Sequence, residues 1–408
     1  MNKIKIYDSI NEDIRKAMYK EGIENSCMPQ LIKFLSQKEE KYTYDIESEK
    51  YFVNSFFPSF PSQAWDRFEN GIRKIARGER VPLQVDVAIT GRCHCDCWHC
   101  FRAKYADDSE LPLEKIKELF NSFEELGTNV IGITGGEPML RKDIIDILQL
   151  IPDNMEGQLY TTGVNIDRSF AKVLSQTNVK RVLISLDHYK EELVCKLRSN
   201  KNAYKDAINA VNYLKEYPIY VAITVCISDE MLVEGELERY VEFAKELEVN
   251  EIRMVSTIPQ GKLEGSNEAL KHSRAMALIT KMKHKYANDL SYPAILNFGE
   301  IENVTYLGCG AGVSYSSVNS DGAVTPCVAV PLSYGNIYDK SFNEIYQEMG
   351  EYFVTTSCSC QGVASNCVRR KMGITIDRPP LDKERSIEII KQCRRSMQPT
   401  AFIKALRE

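Results

Sequence analysis

The segment TGRCHCDCWHC, residues 90–100, contains four cysteines within eight positions: Cys93, Cys95, Cys97 and Cys100. A structural zinc ion takes four ligands in a closed tetrahedron, usually from two separated pairs, so four thiols in one octapeptide would be strained around it. Cys93, Cys97 and Cys100 can instead hold three irons of a 4Fe–4S cluster and leave the fourth iron without a protein ligand. Such an open position is typical of a catalytic metal. We expect Cys95 to point away from the cluster, because a fourth ligand would close the site.

The segment TGGEP, residues 134–138, is a second candidate for ligand binding. Gly135 and Gly136 allow the backbone to approach a ligand closely. The carboxylate of Glu137 can accept a charge-assisted hydrogen bond from an ammonium group. In isolation these residues could form an ordinary turn, but their position one predicted strand after the cysteines favours a binding role.

Five cysteines in the C-terminal part form a second candidate metal site: Cys309, Cys327, Cys358, Cys360 and Cys367. The segment NSDG, residues 319–322, predicts a hairpin turn between two short strands, so that Cys309 and Cys327 can reach one metal. Four thiolates also satisfy zinc, and a zinc site is therefore an alternative to an iron–sulfur cluster. We assign no role to the later Cys393.

The composition is that of a globular protein longer than one average domain, with 408 residues, 43% of them hydrophobic and 27% charged. The net charge of −5 predicts no nucleic-acid binding. Because the sequence has no run of about 18 apolar residues and no apolar stretch at its N-terminus, we predict no membrane span, no signal peptide and a cytoplasmic location. The thirteen cysteines then favour metal binding or catalysis over disulfides. The isolated Cys27, Cys195 and Cys226 are expected to be buried as small apolar residues.

Strands and helices alternate between residues 83 and 257, and they bring the loops described above to one edge. Six strands are predicted at 83–90, 129–134, 157–162, 180–186, 219–226 and 251–257, with five amphipathic helices between them. This alternation predicts an α/β fold with a parallel sheet and right-handed crossovers. Six units are fewer than the eight of a closed barrel, so an open doubly wound sheet and a partial barrel are both compatible. In either, loops at the carboxyl ends of the strands carry the chemistry.

The triplet Cys93-x₃-Cys97-x₂-Cys100, followed one strand later by Gly-Gly-Glu, resembles the radical S-adenosylmethionine (SAM) superfamily. The resemblance implies a partial (β/α)6 TIM-like barrel over residues 81–300 and a 4Fe–4S cluster whose open iron chelates the amino and carboxylate groups of SAM. One electron from the cluster then cleaves SAM to methionine and a 5′-deoxyadenosyl radical, which abstracts a substrate hydrogen. A flavodoxin or ferredoxin is the implied reductant.

The same resemblance assigns six cofactor-binding residues to this chain, which are His99, Gly135, Gly136, Glu137, Ser185 and Arg198. His99 stands before the last cysteine, where the superfamily usually has an aromatic residue near the adenine. Glu137 would accept a hydrogen bond from the SAM ammonium, and Ser185 in the segment LISLD would approach SAM. Arg198 resembles an arginine that pairs with the SAM carboxylate, although Ser199 follows it where the family usually has glycine. No catalytic acid or base is assigned.

The C-terminal cysteines resemble the SPASM and twitch extensions of radical SAM enzymes, and the overall resemblance then covers roughly residues 83–370. It implies a small cysteine-rich domain at 301–375 with at least one auxiliary iron–sulfur cluster. A full SPASM domain carries seven cysteines and two clusters; this chain has fewer, and Lys371 stands where a further ligand would lie. We expect one auxiliary cluster, with two clusters as the alternative. Its ligands would be Cys309, Cys327 and two of Cys358, Cys360 and Cys367.

Two flanking segments complete the predicted domain organisation. Residues 1–80 are expected to form an N-terminal α+β extension, with a hairpin over 41–54 followed by a proline-punctuated aromatic run. Residues 376–408 are expected to form a helical tail. We expect the extension to pack over the barrel; a substrate-binding role is the alternative.

The resemblance also indicates a class of substrate. Superfamily members with such C-terminal domains most often modify ribosomally made peptides by cross-linking, thioether formation or epimerisation, which implies a precursor peptide as a partner. Tailoring of a tetrapyrrole or another small molecule is the second interpretation. A competing class is a non-enzymatic iron–sulfur electron carrier or zinc-binding module, but an electron carrier would have no reason to combine an incomplete ligand set with the Gly-Gly-Glu loop.

Overall fold

The computed structural model describes residues 4–7, 28–103, 108–266, 268–357, 359–393 and 399–407. The three N-terminal strands form a small antiparallel sheet in the order β1-β2-β3, so the hairpin predicted over 41–54 corresponds to β2 and β3. The elements of this part are β1 (Ile4–Tyr7), α1 (Met28–Gln37), β2 (Tyr42–Asp45), β3 (Lys50–Phe52) and α2 (Gln63–Ala76).

In the described part of the chain, eight parallel strands form most of a ten-stranded sheet that positions the candidate site. Their order across the sheet is β10-β9-β8-β7-β6-β5-β4-β11, and the antiparallel strands β12 and β13 extend it beyond β11. This mostly parallel sheet, together with the helices between its strands, confirms the predicted α/β class and partial barrel. The strands are β4 (Gln84–Ala88), β5 (Val130–Thr134), β6 (Glu156–Thr161), β7 (Val179–Ser185), β8 (Tyr220–Cys226), β9 (Glu251–Val255), β10 (Ala294–Asn297), β11 (Tyr315–Val318), β12 (Ala323–Thr325) and β13 (Gly335–Asn336).

Helices connect the parallel strands, and their ends follow from local sequence. The first connecting helix ends at Gly127, whose φ of 91° belongs to the left-handed region that favours glycine. Another begins after Asp167, whose side chain accepts a hydrogen bond from the backbone N–H of Phe170. The helices are α3 (Leu113–Leu126), α4 (Ile144–Gln149), α5 (Arg168–Leu174), α6 (Glu191–Arg198), α7 (Ala203–Leu214), α8 (Glu236–Glu246), α9 (Glu268–Tyr286) and α10 (Phe298–Ile301).

Alternation along the strands separates an apolar outer face from a polar interior. On β4, Val85 and Val87 are fully buried in the main hydrophobic core together with residues of the surrounding helices. Asp86, which lies between them, instead hydrogen-bonds with Gln84 and Tyr315. The interior of this barrel therefore carries charged and polar groups.

The N-terminal extension covers the amino end of the barrel. Ser55 Oγ donates to Glu251 at 2.6 Å, and the backbone N–H of Ser59 donates to Glu156 at 3.1 Å; these acids are the first residues of β9 and β6. The buried Arg181 donates to the carbonyl oxygen of Phe57. This packing agrees with the expected role of the extension. Its aromatic run is buried rather than displayed, as the residues Phe57, Phe60, Trp65 and Phe68 show.

The C-terminal region continues the barrel sheet, because β11 pairs in parallel with β4 and begins the hairpin to β12. The chain then forms α11 (Phe342–Met349), α12 (Gln361–Lys371), α13 (Lys383–Gln392) and α14 (Ala401–Arg407). Phe402 and Ile403 of the last helix belong to the same hydrophobic core as the N-terminal extension. The predicted domain boundaries at 80, 300 and 375 remain predictions.

Candidate active site

The cysteine loop after β4 and the glycine loop after β5 are bound together through their backbones. The N–H of Gly136 donates to the carbonyl of Thr90, and the N–H of Glu137 donates to that of Arg92, each at 2.8 Å. A Cβ on Gly135 would collide with the Thr90 carbonyl oxygen, and one on Gly136 with that of Arg92. These two positions therefore require glycine because the backbone of the glycine loop lies so close to the backbone of the cysteine loop.

Cys93, Cys97 and Cys100 lie in this loop at the carboxyl end of β4, with Cys93 exposed and the other two half-buried. Hydrogen bonding with the Cys95 thiol lowers the pKa of Cys93 to about 4 and also lowers that of Cys97. The backbone N–H of Cys95 lies 3.5 Å from Cys93 Sγ. The expectation that Cys95 points away from the other cysteines is therefore wrong, because the short segment curls and brings its thiol beside theirs.

The end of α6 supports the other side of the cysteine loop. The backbone N–H groups of Asp96 and Trp98 donate to the carbonyls of Arg198 and Leu197 at 3.1 and 2.9 Å. The Arg198 guanidinium lies 3.6 Å from Cys97 Sγ and 2.8 Å from the carboxylate of Asp187. Arg198 therefore lies beside the cysteine loop, and its guanidinium already forms an ion pair with Asp187.

Glu137 is 1% exposed, and it connects the glycine loop to the end of β6. Its carboxylate accepts hydrogen bonds from Thr161 Oγ1 at 2.6 Å and from the backbone N–H groups of Thr162 and Met139 at 2.8 and 3.1 Å. Burial raises the pKa of Glu137, and these hydrogen bonds oppose the rise. Groups of the protein itself therefore already occupy much of the hydrogen-bond-accepting capacity of the Glu137 carboxylate.

Three further side chains meet at the carboxyl ends of the strands, which form the edge, or rim, of the sheet where β7 and β8 end. One ligand atom each from His99, Asp187 and Cys226 lie within 4.8 Å of one another. Burial lowers the pKa of His99 to about 4, so its imidazole is neutral at neutral pH. Ser185 is the last residue of β7, and Cys226 is the last residue of β8. We expected Cys226 to be an isolated apolar residue; its position at the carboxyl end of a predicted strand was the signal for a place at this rim.

The C-terminal cysteines come together from three separate segments. Cys309 pairs through its backbone with Ser357, and Cys360 immediately precedes α12. Burial is the main cause that raises the pKa of Cys309 and Cys327, and the nearby Cys360 thiolate raises both further. Cys367, on α12, is exposed. Cys358 lies outside the described residues, as does Cys27.

The spacing of the thiols distinguishes between metals. Among the described residues, the group of His99, Asp187 and Cys226 is the one in which three potential ligand atoms lie within 4.8 Å of one another. Thiolates around a single tetrahedral zinc ion would be about 3.8 Å apart, given the zinc–sulfur bond length. Within the described residues, neither Cys93, Cys97 and Cys100 nor Cys309, Cys327 and Cys360 is that closely spaced.

Known proteins share both parts of this arrangement. Residues 87–254 match the Radical SAM superfamily, and residues 309–367 match the SPASM iron-sulfur cluster-binding domain. The GTP 3′,8-cyclase of Limosilactobacillus fermentum is 30% identical over 191 residues, which are 45% of this chain and 56% of the cyclase. The chain thus spans little more than half of that relative. The AdoMet-dependent heme synthase of Methanosarcina barkeri is 24% identical over 291 residues, which are 65% of this chain and 82% of the synthase.

Solved structures agree in fold. Streptococcus suis SuiB bound to its precursor peptide SuiA matches with a TM-score of 0.55 and 17% identity over 69% of each chain. The structure of anSMEcpe with bound AdoMet matches with a TM-score of 0.57 and 18% identity over 76% of this chain and 96% of that chain. No helix among the described residues is long and apolar enough to cross a membrane.

The fold and the two cysteine regions define a radical SAM enzyme. The chain belongs to the radical SAM superfamily and carries a C-terminal SPASM iron–sulfur domain. Its cofactors are therefore a 4Fe–4S cluster and SAM, and its SPASM domain is an iron–sulfur cluster-binding domain. The cysteine triplets fit this requirement, because thiolates are the usual ligands of such clusters.

Proposed function

We propose that this radical SAM enzyme modifies a ribosomally synthesised peptide, by cross-linking, thioether formation or epimerisation. The cofactors supply a 5′-deoxyadenosyl radical that abstracts a substrate hydrogen, while the protein orients the reactants and excludes water. The observation that carries the proposal is the pair of cysteine regions in a fold shared with SuiB and anSMEcpe, solved structures of which hold bound peptides.

Within this reaction, Cys93, Cys97 and Cys100 hold the cluster that binds SAM. The position of Arg198 supports this assignment: its guanidinium lies 3.6 Å from Cys97 Sγ, where it would supply a positive charge for the carboxylate of SAM. The remaining cofactor-binding residues, at the same loops and strand ends, are His99, Gly135, Gly136, Glu137 and Ser185. The auxiliary cluster takes Cys309, Cys327 and Cys360, with Cys358 or Cys367 as the fourth ligand.

The reductant is a flavodoxin or ferredoxin. Cys93 is exposed, so the cluster that it holds lies near the protein surface, where a small electron carrier can approach it. Electron transfer from such a carrier is what starts SAM cleavage. The cytoplasmic location remains a prediction.

Tailoring of a tetrapyrrole is the second candidate function. The AdoMet-dependent heme synthase relative matches over 65% of this chain and 82% of its own length. A tetrapyrrole also carries carboxylates, and the polar interior of the barrel offers a cation for such groups.

The test is co-expression with the short open reading frames that neighbour this gene. A peptide product whose mass changes only in the presence of the active enzyme supports peptide modification. The matched control is the Cys97→Ala variant, which lacks a cluster ligand and should leave every peptide unchanged. Unchanged masses for all neighbouring peptides, together with conversion of an iron–porphyrin by the purified enzyme, would replace the peptide proposal with the tetrapyrrole one.

A further inference from the structure

A buried arginine lies inside the barrel, and no described residue offers it a carboxylate partner. Arg253 is the middle residue of β9 and is 8% exposed. Aromatic rings surround its guanidinium, with the ring centres of Phe298, Phe56 and Tyr160 at 4.8, 4.9 and 5.7 Å. Cation–π contacts of this kind hold the group in place but leave its N–H donors free to bind an acceptor.

The hydrogen bonds of Arg253 are far from complete. Its Nη1 lies 3.4 Å from Ser55 Oγ, and no carboxylate of a described residue is within 4.0 Å of its nitrogens. A guanidinium offers five N–H donors in a planar fork that fits a carboxylate. Because Ser55 is its one hydrogen-bond partner among the described residues, the guanidinium has donors open to a further acceptor such as a carboxylate.

The nearest acids of the barrel are already bound by neutral donors. Asp86 accepts hydrogen bonds from Tyr315 Oη at 2.5 Å and from Gln84 Nε2 at 2.8 Å. Glu251 accepts from Ser55 and from Tyr220 Oη, the latter at 3.0 Å. These hydrogen bonds hold the two carboxylates towards other groups. Burial raises the pKa of both acids, and the positive charge of Arg253 opposes the rise.

Glu302 is the exception among these acids. It is half-buried, and its carboxylate accepts no hydrogen bond from a described residue. Burial raises the pKa of Glu302 to about 7, and Arg253 opposes the rise. The Glu302 charge also raises the pKa of Cys309, Cys327 and Cys360.

A glycine on one of the strands leaves room for these polar groups inside the barrel. Gly132 on β5 faces Asp86 and Tyr160, and a Cβ at this position would collide with the Asp86 carboxylate. Tyr315 donates a hydrogen bond to Asp86, and it begins β11, which pairs with β12, a strand that ends two residues before Cys327. Because Arg253 contacts the Tyr160 ring, which also lies beside Gly132, the arginine belongs to the same polar interior as Asp86.

We propose that Arg253 binds a carboxylate of the substrate. The inference rests on the proposed function, in which a substrate enters the barrel near the SAM site. The carboxylate fills the donors that Arg253 leaves open, and it fixes the distance between the substrate and the radical. An acidic peptide side chain and a tetrapyrrole propionate share this chemistry.

The test compares ligands that differ in carboxylates alone, using holoenzyme with SAM and no reductant. One pair is a blocked five-residue peptide with a central glutamate and the same peptide with glutamine. The other pair is iron–coproporphyrin III and its tetraamide. Binding is measured by isothermal titration for the wild type, for Arg253→Met and for Arg253→Lys.

In the wild type, we expect the carboxylate member of one pair to bind about tenfold to hundredfold more tightly than its amide. Arg253→Met should lose this preference, and Arg253→Lys should keep part of it, because lysine retains the charge without the planar fork. The matched control is Arg168→Met, at an exposed arginine that pairs with Glu216 far from the barrel interior. Iron content and circular dichroism identify a variant that has not folded.

The pair that shows the preference identifies the source of the carboxylate. Absence of a preference in both wild-type pairs, or an unchanged preference in Arg253→Met, overturns the inference. These results are distinct from a failure of the proposed function. A missing peptide modification together with an Arg253-dependent porphyrin preference rejects the peptide substrate and keeps the arginine site, whereas peptide modification at an unchanged rate in Arg253→Met rejects the arginine site alone.

Discussion

Cys93, Cys97 and Cys100 belong to one loop, whereas Cys309, Cys327 and Cys360 come from three segments of the chain. The first group needs only the curl of that loop and its contacts with the glycine loop and the end of α6. The second group needs the pairing of β11 with β4, the hairpin to β12 and the bridge between Cys309 and Ser357. The first site can therefore be recognised from the short spacing of its cysteines in the sequence, whereas the cysteines of the second site come together only in the tertiary structure.

The two regions also differ in their exposure. In the first loop Cys93 is exposed and the other three cysteines are half-buried, as the proposed approach of SAM and a reductant requires. In the second region, burial raises the pKa of Cys309 and Cys327 and raises that of Cys360 to about 11. Without metal these thiols are protonated at neutral pH, so cluster binding must displace their protons. We therefore expect the second site to load less readily as the pH falls.

The largest expected effect separates Cys97 from Cys95 within the first loop. Cys97→Ala should abolish release of 5′-deoxyadenosine from SAM and dithionite, because the cluster loses a ligand. Cys95→Ala should retain it, since three cysteines remain to hold the cluster. The product is measured by liquid chromatography of anaerobically reconstituted protein. A Cys95→Ala variant as inactive as Cys97→Ala would show that the thiol beside the triplet is itself a ligand.

Removal of the whole first triplet tests whether the second region binds metal by itself. The variant with Cys93, Cys97 and Cys100 all changed to alanine should retain about four irons after reconstitution, which is one cysteine-ligated cluster. Iron and sulfide analysis with electron paramagnetic resonance measures this. Zinc or no metal contradicts an auxiliary iron–sulfur cluster, and about eight irons would indicate two clusters there.

Gly136→Ala tests how strongly the first site depends on contact between its loops. The new Cβ would collide with the carbonyl oxygen of Arg92, so the cysteine loop must shift. We expect SAM cleavage to fall about a hundredfold, as displacements of about 1 Å can cause. Gly265→Ala is the control, because a Cβ there meets no atom within 4 Å and adds only left-handed backbone strain of about 1–2 kcal/mol. Equal rates in both variants would contradict the need for close packing.

The smallest expected effect concerns the acid beside the second region. The pKa of Glu302 is about 7 in the folded protein and near 4.5 in an unfolded chain, so the folded state holds its proton more tightly. Stability from this group is full below pH 4.5 and is lost as the pH rises towards 7, by at most about 3 kcal/mol. Glu302→Gln should therefore stabilise the protein relative to the wild type at pH 8 but not at pH 4.5. Anaerobic denaturant unfolding at both pH values measures the difference, and a pH-independent difference would refute the raised pKa.

The sequence predicted the strands more reliably than it predicted contacts between them. Six of the parallel strands lie within a few residues of their predicted positions, because each combines apolar residues over a length typical of a strand. The strand β10 was missed, since its four residues are too few to show alternation. The helix α6 was also missed, although it supports the cysteine loop through Arg198.

The sequence by itself predicted those features of the site that depend only on residues close together along the chain. The spacing of Cys93, Cys97 and Cys100, and the glycines and Glu137 one strand later, identify the family because cluster and loop geometry impose fixed distances along the chain. Tertiary structure alone decided the remaining contacts. It brought the Cys95 thiol beside its neighbours, paired Arg198 with Asp187, and placed Arg253 where no described carboxylate forms an ion pair with it. The physical reason is that these contacts join residues from different strands and loops, whose distances depend on sheet register and burial and not on spacing in the sequence.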